Sequence, residues 1–253
     1  MDKIIINADD FGLKSSVNKA IAESFDNRLI NSATLMANMP GFEEAVELIH
    51  NRKLDSKIGI HLVLTDGLSL TQEIKSMNLF FNKKVILAPL RFKKLFFLNK
   101  YEQFVIFNEF SEQIEKVRRN GISITHLDTH HQIHDMWAIM QIMIDLLKTY
   151  NIPSMRILNN LNKSNYFYKN AYRNIINHYL KARKANFTDF LGNQLDFLSI
   201  LERNPAFLDS RNKKIEIMVH PDLNENGLLI DKIRDKEYDF RFQKDITSYL
   251  ETF

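Results

Sequence analysis

Three consecutive isoleucines, Ile4, Ile5 and Ile6, leave residues 3–7 without a polar face. A strand that is apolar on both sides belongs inside a sheet covered on both faces, and such sheets are typically parallel and flanked by helices. The rest of the chain agrees. Further strand candidates at 31–39, 57–64, 122–125, 154–158, 187–191 and 214–219 alternate with helical spacing. The helices are expected from Ser15 or Ser16 onward (apolar side Val17, Ala20, Ile21, Phe25) and at 42–50, 102–120, 136–150, 166–185 and 239–250. Pro40-Gly41 and Gly121 supply the stops. This alternation predicts an α/β protein, a single β/α barrel-like domain of about seven strands, with 1–253 as one domain and no internal repeat.

Composition narrows the class. With 45% hydrophobic and 26% charged residues over 253 positions, the chain has ample material for a core. A net charge of only +3 gives no whole-chain reason to expect nucleic acid. Cysteine is absent, which removes disulfides, thiolate metal sites and cysteine nucleophiles. The apolar run at the N-terminus is too short for a signal peptide, and no stretch reaches the roughly 18 apolar residues of a membrane span. A soluble, cytoplasmic protein is the expectation, with a homodimer left open.

The chemistry gathers at strand ends. Residues 126–134 read H-L-D-T-H-H-Q-I-H and hold four of the eight histidines. They lie between a β-branched run and an apolar helix, where parallel α/β folds build their sites. Imidazoles beside a carboxylate suit a divalent metal, solvated or core-satisfied histidines being the plainer alternative. Asp9 and Asp10 directly follow the buried first strand, where adjacent carboxylates repel unless a cation or donor sits between them. A turn with helix N-terminal charge is the simpler account of that pair. His61 stands inside the apolar run K-I-G-I-H-L-V-L and needs a partner or a ligand role. His220 ends the last clear strand. Two imidazoles and a carboxylate make a catalytic metal set, a second carboxylate can act as a base on water, and another histidine can protonate a leaving group. The expected reaction is hydrolysis of an amide or ester. The donors admit Mg or Mn and equally Zn, Co or Ni.

These residues also carry a resemblance. Asn7-Ala8-Asp9-Asp10-Phe11-Gly12, Gly59-Ile60-His61-Leu62, Thr125-His126-Leu127-Asp128-Thr129-His130-His131 and Ile217-Met218-Val219-His220-Pro221 resemble the successive motifs of the YdjC-like carbohydrate deacetylases. That family includes chitooligosaccharide deacetylases and is distantly similar to polysaccharide deacetylases. The resemblance runs from residue 3 to about 222. It implies a distorted seven-stranded β/α barrel that removes N-acetyl groups from an acetylated carbohydrate, a chito-oligosaccharide or related N-acetylhexosamine glycan. Carried over by motif position, Asp10, His61 and His130 would bind one divalent metal, Mg first by resemblance, with Zn or another transition metal open. Asp9 would be the general base, His220 the general acid, and Arg156 would orient Asp9. His126 and Asp128 would brace the cluster. Gln132 departs from the family pattern, which often has histidine there. The alternatives are a metal-dependent phosphoesterase and a non-catalytic sugar-binding relative.

Residues 74–101 fit none of these motifs. They hold seven cations (Lys75, Lys83, Lys84, Arg91, Lys93, Lys94, Lys100), no acid, and five interleaved phenylalanines. Such a segment suits a membrane surface, an anionic and partly apolar substrate, a cap over the site or an oligomer contact. The expectation chosen is a basic, aromatic insert or cap that accepts a phosphorylated or lipid-linked acetylated sugar. Charge reversal at Lys83, Lys84, Lys93 and Lys94 should then lower kcat/KM on an anionic acetylated sugar at least tenfold more than on a neutral one. Unchanged activity of the charge-reversed protein on the anionic sugar would contradict the assignment.

Overall fold

The first strand sits where its isoleucines require. Ile4, Ile6, Asn7, Ala8 and Asp9 are all buried, so β1 (Ile4–Phe11) is covered on both faces. The structure is a computed structural model and describes residues 4–76, 80–81, 84–85, 97–161, 166–182, 186–204, 207, 213–233 and 236–239. After β1 come α1 (Ser15–Asp26), β2 (Ser32–Leu35), α2 (Phe42–Asn51), β3 (Ile58–Leu62), β4 (Phe80–Phe81) and β5 (Lys84–Val85). They are followed by α3 (Lys100–Arg119), β6 (Leu127–Thr129), α4 (Trp137–Tyr150), α5 (Phe167–Lys181), β7 (Phe190–Asn193) and α6 (Gln194–Arg203). The chain closes with β8 (Ile215–Val219), β9 (Pro221–Leu223), β10 (Leu229–Ile233) and β11 (Lys236–Asp239).

The expected α/β class holds. In one part of the fold β1, β8 and β7 lie side by side in that order, and elsewhere β3 pairs with β6, the β1–β8, β7–β8 and β3–β6 pairs all being parallel. The strand expected at 154–158 is reduced to isolated bridging residues, Ser154 and Met155, the latter parallel beside Leu127. The strand expected at 122–125 begins later, as β6. Thr125 and His126 already exchange backbone hydrogen bonds with β3, and the ladder runs onward through Thr129. The basic segment at 74–101 and the helix at 239–250 fall largely outside the described residues. No described helix is long and apolar enough to cross a membrane.

Backbone contacts divide the chain into two compact units. One comprises Met1–Asp9, Lys19–Ala33 and Arg156–Phe253, and the other Asp10–Asn18 and Thr34–Met155. In the first, β1 runs parallel to β8, with Ile6 opposite Ile217 and Ala8 opposite Val219, and β7 flanks β8 on its far side. A separate antiparallel sheet, β11-β10-β9, follows directly after β8. In the second unit, β3 and β6 pair so that His61 stands opposite Asp128. Helix α3 opens with a reciprocal cap in which Asn99 accepts from the Glu102 N–H and Glu102 from the Asn99 N–H. Helix α4 buries Met140 and Met143, as expected of core methionines.

A recurring device completes the strands. In the first unit, the Asn31 side chain accepts from Ile6 N–H and donates to Ile4 C=O, and Asn177 does the same to both backbone groups of Leu158. In the second unit, Gln113 accepts from Val63 N–H and donates to Val63 C=O, at 2.9 and 2.8 Å. Each amide stands in for one residue of a neighbouring strand and satisfies backbone groups that burial would otherwise orphan. Replacing Gln113 with leucine keeps the volume but strands both groups of Val63, each costing about 1–3 kcal/mol. Gln113→Leu should therefore lose about 2–6 kcal/mol, read from the urea midpoint at constant m-value. A loss below about 0.5 kcal/mol, the level of an ordinary surface substitution, would refute the account.

Candidate functional site

In the second unit, the pairing of β3 with β6 generates the first cluster. Because His61 and Asp128 are opposite one another in a parallel ladder, their side chains meet at 2.6 Å, His61 Nδ1 to Asp128 Oδ1. Both are buried, and Thr34 donates its hydroxyl to the other Asp128 oxygen at 3.3 Å. A carboxylate that close to Nδ1 holds the proton there, which leaves the Nε2 lone pair facing the other way. On that side lie Asp10 Oδ1, at 3.2 Å, and His130 Nδ1, at 3.3 Å. His130 Nδ1 is in turn 2.9 Å from Asp10 Oδ1.

Three donor atoms thus converge, and one ligand atom each from Asp10, His61 and His130 lies within 4.8 Å of the others. Asp10 Oδ1 is buried and makes no hydrogen bond of acceptable geometry, despite its two imidazole neighbours. Asp10 also has φ +70°, a left-handed conformation that aspartate tolerates better than most residues and that recurs at functional sites. Burial opposes the charge of Asp10, but the neighbouring imidazoles of His130 and His61 outweigh it, holding the carboxyl well below the usual range. Burial likewise works to lower His130, yet Asp10 and Asp66 prevail and raise it above an ordinary histidine. A proton or a divalent cation can fill the gap, and the two compete. The set of two imidazoles and one carboxylate fits a metal ion.

The remaining histidines of 126–134 divide as the plainer alternative anticipated. The His126 ring lies where a side chain on Gly59 would be, 2.5 Å from the position of an added Cβ, and its Nδ1 meets Thr125 Oγ1. Gly59 is therefore required by close packing. His134 is buried and bonded to Thr129 Oγ1 through its ring. His131 is exposed at φ +55°, with Thr65 Oγ1 2.9 Å from Nδ1. Partial desolvation of its ring, and then the charge of His130, lowers its pKa.

In the first unit a second cluster surrounds Arg156, whose side chain is fully buried. Its two terminal nitrogens donate to both oxygens of Asp9, at 2.7 and 2.6 Å, and Nε donates to Glu216 at 2.6 Å. Asn7 adds a donor to Asp9 at 2.9 Å. This bidentate fork fixes the plane of the Asp9 carboxylate. His220, at the end of β8, places Nε2 3.9 Å from Asp9 Oδ2. Its backbone N–H donates to Asp231 at 2.7 Å, and burial raises the Asp231 carboxyl. The sequence reading singled out Asp9, Arg156 and His220, and the structure brings these three together. It missed Glu216 and Asp231. A glutamate inside the apolar run I-E-I-M-V was the available signal, since such a residue is rarely buried without a partner.

Comparison with known proteins gives the same direction. Residues 3–252 match the family described as YdjC-like protein. A carbohydrate deacetylase of Vibrio cholerae is 30% identical over 219 residues, 87% of this chain and 78% of the relative. Another, of Clostridium beijerinckii, is 36% identical over 162 residues, 61% of this chain and 60% of that relative's length. A crystal structure from Enterococcus faecalis, named for cellobiose-phosphate cleavage, shares the fold with a TM-score of 0.66 at 23% identity, over 88% of this chain and 82% of that one. From its N-terminal strand to its last residues, the chain belongs to the YdjC-like family.

Proposed function

We propose that the chain is a metal-dependent carbohydrate deacetylase that hydrolyses the N-acetyl amide of an N-acetylhexosamine glycan. The observation that carries this reading is the convergence of Asp10 Oδ1, His61 Nε2 and His130 Nδ1 around a space with no satisfying donor. The relatives named carbohydrate deacetylases support the choice of substrate class. Asp10, His61 and His130 would hold one divalent ion, Mg by family resemblance or Zn by the nitrogen-rich donor set. Bound there, the ion supplies Lewis acidity toward an acyl oxygen and acidifies water.

The chain's own groups do the proton work. Asp9 accepts a proton from the water whose oxygen attacks the acetyl carbon, and the C–O bond forms as the carbonyl π electrons move to oxygen. His220, protonated at Nε2, gives its proton to the amide nitrogen as the C–N bond breaks, releasing acetate and a free amine. Arg156 touches no reacting atom. It holds both Asp9 oxygens in one plane, so that the base is oriented before substrate arrives. Glu216 fixes the other edge of Arg156. The phosphorylated or lipid-linked character expected of the sugar rests on residues 74–101 and is part of the proposal.

Acetate release from N-acetylglucosamine oligomers should require metal and stop with chelator. Asp9→Asn keeps the shape but removes the base, and should lower kcat by 10²-fold or more, the usual contribution of a general base. Arg156→Lys should lower kcat more than it raises KM, because a lysine cannot reproduce the fork. Metal-independent acetate release, or full activity in Asp9→Asn, would overturn the mechanism.

A further inference from the structure

Asp66 has no place in the roles assigned so far, yet it stands beside one of the proposed metal ligands. Its Oδ2 lies 3.5 Å from His130 Nε2, the nitrogen facing away from Asp10. The arrangement parallels the one on the other imidazole. His61 turns Nε2 to Asp10 and Nδ1 to Asp128. His130 turns Nδ1 to Asp10 and Nε2 to Asp66. Each imidazole thus has one nitrogen toward the centre and a carboxylate behind the other.

The loop that carries Asp66 is held in place at several points. Asn38 donates to the Asp66 carbonyl at 3.0 Å. Gly67, at φ +70°, follows directly, and a Cβ there would come within 2.5 Å of Met39 Sδ. Farther along, Glu109 of α3 is fully buried and accepts from the N–H groups of Leu70 and Thr71 and from the Thr71 hydroxyl, at 2.8 to 3.0 Å. On the other side, the ring of His131 lies tilted against His130 with centroids 3.9 Å apart and meets Thr65 through Nδ1. These contacts fix the loop and the ring relative to each other.

We infer that Asp66 is a positioning residue for the metal centre, the carboxylate that sets the tautomer and orientation of His130. The inference rests on the metal-site reading given above. A carboxylate on the outer nitrogen makes the inner one a better donor, and losing such a partner typically weakens metal affinity by about 10–100-fold. Asp128 is buried, whereas the Asp66 side chain is 40% exposed. Solvent screens the exposed pair more, so the effect of Asp66 belongs at the lower end of that range.

The test is calorimetric titration of Zn²⁺ into chelator-stripped full-length protein, comparing wild type, Asp66→Asn, Asp66→Glu and His130→Ala. Asp66→Asn should weaken Kd about tenfold while leaving the melting temperature of the metal-free protein within a degree or so of wild type, and Asp66→Glu should restore part of the affinity. His130→Ala should abolish tight binding. If Asp66→Asn binds like wild type while His130→Ala does not, the assignment of Asp66 is wrong and the metal site stands. If wild type itself takes up no Zn²⁺, both the inference and the reading beneath it are overturned.

Discussion

The 2.6 Å pairing of His61 with Asp128 is the constraint on which the candidate metal centre depends. It follows from register alone, since β3 and β6 run parallel with these two residues opposite each other. Once the carboxylate holds the Nδ1 proton, the Nε2 lone pair must face the remaining donors. Asp10 and His130 then add two more electron-rich atoms, and the resulting centre is incomplete without a cation or a proton. A one-residue slip of β6 would turn Asp128 away from His61 and remove the device altogether.

The first unit solves a different problem with similar means. A fully buried guanidinium is costly unless its charge and its donors are matched, and Asp9 and Glu216 match Arg156 along both edges. The arrangement holds the Asp9 carboxylate in one orientation, as the proposed role of general base requires. Asp9 and Asp10 are joined by one peptide bond, yet the first serves the arginine cluster and the second the imidazole cluster. The left-handed backbone at Asp10 releases the pair from the strict alternation of a strand.

Much of this was legible in the chain. The isoleucines of β1 declared a strand buried on both faces, and they lie in one. Asp9, Asp10, His61, His130 and His220 stood out as polar residues at or near strand ends, Arg156 entered through the family resemblance, and each falls in one of the two clusters. What escaped was the set of partners. Asp128 was expected only to brace, and its pairing depends on the register of two strands more than 60 residues apart. Glu216 is a single letter in an apolar run, and Asp66 looks like any turn residue before a glycine. Helix α3 began two residues earlier than its apolar pattern suggested, because the Asn99–Glu102 cap, and not hydrophobic periodicity, sets its start. The amide side chains docked on strand backbones also leave no periodic trace, since each replaces a long-range ladder contact.

The most direct test of the centre is anomalous diffraction from crystals grown with Zn²⁺. The account predicts one strong peak about 2.0–2.2 Å from Asp10 Oδ1, His61 Nε2 and His130 Nδ1, with His61 Nδ1 still on Asp128. No peak there, with His130 hydrogen-bonded directly to Asp10, would mean that a proton fills the space and that the three residues form a structural ionic cluster.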